Sequence, residues 1–214
     1  MAYFKRILHI SKMTRITYAI CVCDEHRELD DLLFFLTKVK EPEDDINILV
    51  DTGRVTDPVR HVLEKYKDQC TVNERKFCGN FSDHRNYHQT LCTGDYIFVI
   101  DADEMPQEVL LKNIKQFQGD ILAIPRINMC LGYTSEWLQE HKFAMTNTGW
   151  INWPDFQMRY YKNDGTVKWT KGLHEHLTGG AVGKLDANPE LALLHIKSVQ
   201  RQDKQDELYK ALES

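Results

Sequence analysis

The sequence predicts a single α/β domain with a mostly parallel sheet flanked by helices, and three observations carry that expectation. Compact apolar runs at residues 16–22, 46–50 and 96–100 alternate with segments whose apolar residues recur at helical spacing, the pattern of βαβ units with right-handed crossovers. Each run stops at an acidic position: Asp24-Glu25 after the first, Asp51 after the second, and Asp101 to Glu104 after the third. Ligands in open parallel sheets bind beyond the carboxyl ends of the strands, so these three loops are the first candidates for a site.

Residues 16–22 are β-branched and aromatic, and the polar cluster Cys23-Asp24-Glu25-His26-Arg27 ends that first strand. Leu29, Leu32, Leu33, Phe35 and Leu36 then mark a helix over 28–40, closed by Glu41-Pro42. The second strand, 46–50, is followed by the turn Asp51-Thr52-Gly53-Arg54. Pro58 opens a second helix reaching about residue 67, with Val59, Val62, Leu63 and Tyr66 on one face and Asp57 as its expected cap. An extended piece over 71–77 and a third helix over 82–93, ended by Gly94, lead into the most apolar run, 96–100. Beyond Glu104 the pattern loosens. The expectation there is a helix over 105–118, a strand over 121–125, an irregular excursion over 128–153, and a hairpin of 156–161 with 167–170 across Lys162-Asn163-Asp164-Gly165. The tail from Ser198 reads as a polar helix that frays.

A chain of 214 residues with 42% hydrophobic and 28% charged residues builds one substantial core, not two separate enzyme domains. The net charge of −5 excludes a whole-molecule basic field for holding a phosphate polymer, leaving at most a local groove of Arg126, Arg159, Lys162, Lys168 and Lys171. No apolar run approaches the roughly 20 residues that span a bilayer, and the first residues lack the pattern of a secretion signal, so a cytoplasmic protein without a transmembrane segment is expected. None of the cysteines (Cys21, Cys23, Cys70, Cys78, Cys92, Cys130) forms a CxxC pair. They read as buried thiols in a reducing compartment, with Cys21 and Cys23 on one strand face.

Asp101 and Asp103 flank one alanine just past a strand, where extended spacing throws both carboxylates to the same side. Carboxylates so close repel unless a cation or a shared proton compensates. Mn²⁺ or Mg²⁺ takes a few such oxygens together with substrate phosphates. Taken alone, the same residues make a solvated acidic turn at the start of a helix.

The surroundings favour the metal. Asn80-Phe81-Ser82-Asp83-His84-Arg85-Asn86-Tyr87 followed by Gly94-Asp95-Tyr96-Ile97-Phe98-Val99-Ile100-Asp101-Ala102-Asp103-Glu104 resembles glycosyltransferase family 2. Cys23-Asp24-Glu25 after the first strand and Val50-Asp51-Thr52-Gly53 after the second agree with it, so the resemblance runs in order over residues 14–110. It implies a GT-A-like, Rossmann-type domain over 1–214: a nucleotide-sugar-binding half over 14–110, a smaller mixed acceptor-binding half over 111–197, and the helical tail 198–214. It also implies that Asp24 or Glu25 lies near the ribose and base, that Asp51 accepts from the base, and that Asp83 and Arg85 border base and diphosphate. Asp103 would be the direct metal ligand, with Asp101 on the ribose or a metal-bound water.

In the second half, Gln157-Met158-Arg159-Tyr160-Tyr161 and Lys171-Gly172-Leu173-His174-Glu175-His176-Leu177 are similar to a pattern in bacterial relatives of that family. A carboxylate beside the acceptor hydroxyl must take its proton. Glu175 is the first candidate for this base and Asp155 the second, and one direct displacement implies inversion at the anomeric carbon. His195 lies in an apolar run and reads either as a hydrogen-bonded core histidine or, by the resemblance, as a late metal ligand. Trp150 and Trp153 are the candidates for acceptor contact. The partners expected are therefore a nucleoside-diphosphate sugar, UDP-linked by preference, and a saccharide or other hydroxyl acceptor. A hydroxymethylated base in DNA, the substrate of phage-type transferases, is one alternative acceptor.

Other readings compete. Zinc hydrolysis through His174, Glu175, His176 and His195 lacks the helical HExxH spacing. A nucleotidyltransferase would carry a Gly-rich basic loop where Asp24-Glu25-His26-Arg27 stands. An inactive glycan-binding relative would not need Asp103, Arg85 and Glu175 together.

Overall fold

The computed structural model describes residues 14–213, so the first residues read above for a secretion signal lie outside the described part. Strands β1 (Ile16–Val22), β2 (Asp45–Asp51), β3 (Thr71–Arg75) and β4 (Tyr96–Asp101) are parallel, in the order β3-β2-β1-β4. Helices α1 (His26–Val39), α2 (Asp57–Lys65) and α3 (Phe81–Gln89) make the crossovers. Since β2 and β3 are added on one side of β1 and β4 on the other, a crevice opens beyond the carboxyl ends of β1 and β4, the switch point at which such sheets take ligands.

Alternation along the strands divides the core. Tyr18, Ile20, Phe98 and Ile100 face Leu29, Leu32, Leu33 and Leu36 of α1, while Ala19, Ile97 and Val99 face the other way, onto Tyr161, Val167 and Trp169. Each fully buried leucine of α1 contributes about 1.5–3 kcal/mol of burial, which is why a four-leucine stripe holds this helix on the sheet.

Three boundaries in this half differ from expectation. The cap position of α2 is Thr56, and Asp57 is already helical. Helix α3 starts at Phe81, where the Asn80 side chain accepts from the Asp83 N–H at 2.9 Å, so Arg85 and Asn86 lie within the helix and not at its start. It also stops at Gln89, short of Gly94. Gly94 instead lets the chain approach β1 closely, since a Cβ there would come within 2.5 Å of the Thr17 backbone nitrogen.

The second half departs further. Residues Glu104–Pro106 form strand β5, not the start of a helix. Pro106 biases Met105 toward extended backbone, which delays α4 to Glu108–Asn113. Strand β6 runs over Ile121–Leu131 and β7 over Ile151–Lys162, so the two ends of the expected excursion 128–153 are strand, and between them lie α5 (Ser135–Glu140) under a Thr134 cap and a largely irregular connection. The expected hairpin does not form. Strand β7 is antiparallel to both β4 and β6, so both its edges are taken, and β8 (Lys168–Thr170) pairs instead with β9 (His176–Thr178). Strands β10 (Val182–Lys184) and β11 (Leu193–Ser198) add to β6, and β11 also carries β5. Helix α6 (Val199–Glu213) follows directly and buries no residue. Among the described residues, no helix is long and apolar enough to cross a membrane.

Candidate active site

A cleft of about 1510 Å³ lies over the carboxyl ends of β1, β2 and β4, bordered by α3, β6, β7, β11 and α6. Sheet register builds its centre. His195 on β11 pairs with Glu104 on one side and with Asn128 on the other, and Arg126 pairs with Asp155 across β6 and β7. Because β5 begins one residue after Asp103, the same register brings His195 to Asp103: Nε2 is 3.5 Å from Oδ2. His195 Nδ1 meets the Asn128 amide oxygen at 2.7 Å. That oxygen can only accept, so Nδ1 carries a proton and a neutral ring turns its Nε2 lone pair toward a carboxylate. Two acceptors so placed need a proton or a cation between them. Burial works to raise the Asp103 carboxyl, but positive charge at this point, from a proton on His195 Nε2 where no cation lies between and from Lys197, outweighs it and holds the carboxyl well below the usual range. Asp103 and His195 therefore fit a divalent cation, with Asn128 as the outer group that orients the imidazole.

Asp101 is differently employed. Its Oδ1 accepts from Arg85 Nη2 at 2.8 Å and its Oδ2 from Arg159 Nη2 at 2.5 Å. Burial raises its carboxyl, and Arg159 and Arg85 more than reverse this. Both oxygens thus have arginine partners within the protein. Arg159 also reaches the fully buried Glu104, which in turn pairs with Arg126, and Arg126 pairs with Asp155 at 2.7 Å. This chain of charges forms the cleft floor.

Arg85 bridges the two halves. Its Nε donates to Glu175 Oε1 at 2.6 Å and its guanidinium lies 5.0 Å from the Trp169 ring centre. The loop bearing Glu175 is fastened by the Phe81 N–H donating to the Gly172 carbonyl, and Lys171 and His174 adopt positive φ (69° and 53°). Backbone of this kind persists where surrounding contacts impose it. Asp155 is more heavily bound than Glu175: Arg126, Asn128 and Gln157 all donate to it. Its carboxyl is raised by burial and lowered further by Arg126 and Asn128, with a net fall.

At the end of the cleft over β1 and β2, Asp24, Glu25 and Asp51 are lining residues. Asp51 accepts from the Gly53 and Phe77 N–H groups and from Arg54. Glu25 accepts from the Cys23 and Asp24 N–H groups, closing the end of β1. Three candidates fall outside. Asp83 faces Arg75 at 2.6 Å and is half exposed, while Trp150 and Trp153 pack on each other at 5.1 Å beside the cleft, not among its lining residues. Trp137 and Trp169 are the tryptophans that line it. Nor do the histidines of the zinc reading assemble. His174 and His195 line the cleft but His176 does not, and the grouping of possible ligands closest together among the described residues is Cys23, Asp24 and Glu25. Cys21 and Cys23 do share the cleft face, their thiols pushed up to about 12 by burial, and Cys78 is exposed.

The order of these elements can be set beside known proteins. The family model described as "Glycosyl transferase family 2" matches residues 18–190. The chain belongs to that family. Among solved structures, TarS of S. aureus in complex with UDP-GlcNAc superposes with a TM-score of 0.57 at 14% identity, over 86% of this chain and 58% of that one. The mannosyltransferase PcManGT of Pyrobaculum calidifontis, in complex with GDP-Man and Mn²⁺, gives 0.50 at 12% identity, over 86% and 57%. At these identities the likeness concerns the fold, which is the GT-A-like α/β architecture expected. The chain spans less than two thirds of the length of either protein. No curated protein matches it by sequence.

For a family 2 chain, the residues missed in the sequence are instructive. Asn128, Lys197 and Arg201 carry no motif of their own and acquire a role only through strand register or the placement of α6, while Glu104 closes the acidic stretch after residues 96–100 and gains its arginine partners only in the fold. Arg126 and Asn128 do alternate along residues 121–131, and that period of two is the available signal.

Proposed function

We propose that this chain is an inverting glycosyltransferase that moves a sugar from a nucleoside-diphosphate sugar, UDP-linked first, to an acceptor hydroxyl, with Mn²⁺ or Mg²⁺ held by Asp103 and His195. The observation that carries it is the His195 Nε2 to Asp103 Oδ2 approach of 3.5 Å at the β1/β4 switch point, with Nδ1 already committed to Asn128. The ion would supply positive charge for the departing diphosphate.

The chain's own residues do the rest. Asp24, Glu25 and Asp51 bound the end of the cleft where a nucleoside fits, and Arg85 orients Glu175 through one oxygen. Glu175 is preferred over Asp155 as the base, because a carboxylate held by Arg126, Asn128 and Gln157 is a weak proton acceptor. Arg126, Arg159 and Lys162 are neutralised by Glu104, Asp101, Asp155 and Asp164, which removes three of the five cations a DNA groove would need. A saccharide hydroxyl is therefore the preferred acceptor.

Release of nucleoside diphosphate from a panel of UDP- and GDP-sugars, with and without Mn²⁺ and with Asp103→Ala, tests the reading. Metal-stimulated turnover lost in the variant is expected. Turnover indifferent to metal, or absent across the panel, would sink it.

A further inference from the structure

Helix α6 lies across the cleft as a strap, and its first turn places a guanidinium over the switch point. Arg201 Nη2 is 3.0 Å from Glu25 Oε1 at the end of β1, its Nη1 is 3.0 Å from Glu28 Oε1 on α1, and its Nε is 4.0 Å from Asp103 Oδ2 past β4. Asp24 lies 3.7 Å away. One cation thus spans the crevice between the adjacent parallel strands β1 and β4, facing more carboxylate charge than it can neutralise. Lys197 adds a second cation 3.8 Å from Asp103, and Lys204 a third 3.1 Å from Asp24.

We propose that Arg201, carried by the α6 strap and assisted by Lys197, is the residue that grips the donor's diphosphate. The assignment rests on the donor reading above and names a contact that reading does not include. Three features support it. The position is the crevice itself, between the carboxylates at the nucleotide end and Asp103, so a diphosphate there lies under Arg201. The chemistry suits an arginine, whose planar fork matches paired phosphate oxygens. The charge balance also fits: Asp24, Glu25, Glu28 and Asp103 outnumber Arg201, Lys197 and Lys204, so the crevice by itself is net negative and holds the guanidinium ready for a stronger anion that arrives with a cation. Exchange of Glu28 for phosphate replaces one charge-assisted contact with another and costs little.

The test is calorimetric binding of UDP and GDP, each beside its parent nucleoside, to the full chain with Mn²⁺ present. Arg201→Gln is expected to weaken the diphosphate by about tenfold or more, the size of one charge-assisted contact, and to leave the nucleoside unchanged. Glu28→Gln loosens the same strap contact but frees the guanidinium, so diphosphate affinity should hold or rise. Equal loss in both variants would mean that Arg201 only fastens the strap, and would overturn the proposal. Unchanged diphosphate affinity in Arg201→Gln would overturn it while leaving the donor reading intact. Failure of the wild-type chain to bind either diphosphate would overturn the donor reading and this assignment together.

Discussion

The amide oxygen of Asn128 holds His195 Nδ1 at 2.7 Å, and parallel pairing of β6 with β11 sets the two side by side. The contact orients the imidazole and decides which nitrogen faces Asp103. Outer contacts of this type change metal affinity by about 10–100-fold when removed. Asn128→Ala should therefore weaken Mn²⁺ binding by at least about tenfold while nucleoside affinity is retained. Titration of free Mn²⁺ by electron paramagnetic resonance reads this directly, and equal affinities in both proteins would show that the Asn128 contact does not support the metal site.

Arg85 is a costly charge to delete. Its side chain is 10% exposed and it pairs with both Asp101 and Glu175. Removing it leaves the partly buried Glu175 without its charge partner and Asp101 with Arg159 alone, for which about 3–5 kcal/mol is the expected loss. Arg85→Met should lower the urea midpoint accordingly. Arg60→Ala breaks an exposed pair with Glu74 and should cost under about 1 kcal/mol. Comparable losses in the two variants would show that the Arg85 network contributes no more than surface charge.

The contrast between the halves explains what the sequence made legible. From Ile16 to Asp101, buried faces are apolar, so strands and helices announce themselves by period, and the acidic strand ends lead to Asp24, Asp51 and Asp103. In β6 and β7 one face lines a polar cleft. Arg126, Asn128 and Asp155 stand where a buried strand would carry valine or isoleucine, and they fall outside the expected strands, while Gln157 and Arg159 lie within the expected strand 156–161 but give no sign of which partner it pairs with. The Asn-Asp-Gly turn signal misleads for a related reason. Asn163 donates its amide to the Cys92 and Gly94 carbonyls, fastening the end of β7 to the β4 side and not opening a hairpin. Trp150 and Trp153 stand out by composition, and composition does not report which side of a strand faces the cleft.

Acid should loosen the α3 side of the sheet before the carboxylates titrate. Burial, aided by Arg75, depresses His84 from 6.5 to about 4, and burial, aided by Arg85, depresses His88 from 6.5 to about 3. The unfolded chain binds protons at these positions near pH 6.5 while the folded one does not. Stability is then complete above that value and falls through the interval down to the folded values. The urea midpoint should drop between pH 7 and 5, and His88→Gln should flatten part of that slope. A midpoint constant over this range would contradict neutral buried histidines.

Helix α6 should exchange its amides faster than β1 and β4. It buries no residue and is held by Arg201, by Lys204 on Asp24, by the Trp137 indole N–H donating to Asp203, and by Tyr209 against Phe81 and His174. Raising salt from 0.1 M to 1 M shortens the screening length from about 10 Å to about 3 Å. Hydrogen exchange across α6 should quicken accordingly, with β4 unaffected. Protection of α6 equal to that of β4, at both salt concentrations, would mean that packing and not charge holds the strap.

Glu175 and Asp155 are separable as base candidates because the fold treats them unequally. Arg126 and Asn128 converge on Asp155 Oδ2 and Gln157 donates to Oδ1, which keeps this carboxylate ionised and bound. Glu175 receives Arg85 at Oε1, and Arg85 also holds Asp101, so the glutamate is positioned relative to the floor of the cleft. A base that takes a proton only as the bond to the anomeric carbon forms affects kcat, typically by about 10²–10⁴. Glu175→Gln should lose kcat on that scale with diphosphate affinity retained, since the amide oxygen can still accept from Arg85. Asp155→Asn should chiefly lower stability by unbalancing Arg126. If instead Asp155→Asn abolished turnover in a folded protein and Glu175→Gln turned over normally, the roles would be exchanged, and the ion pair with Arg126 would have to open during each cycle.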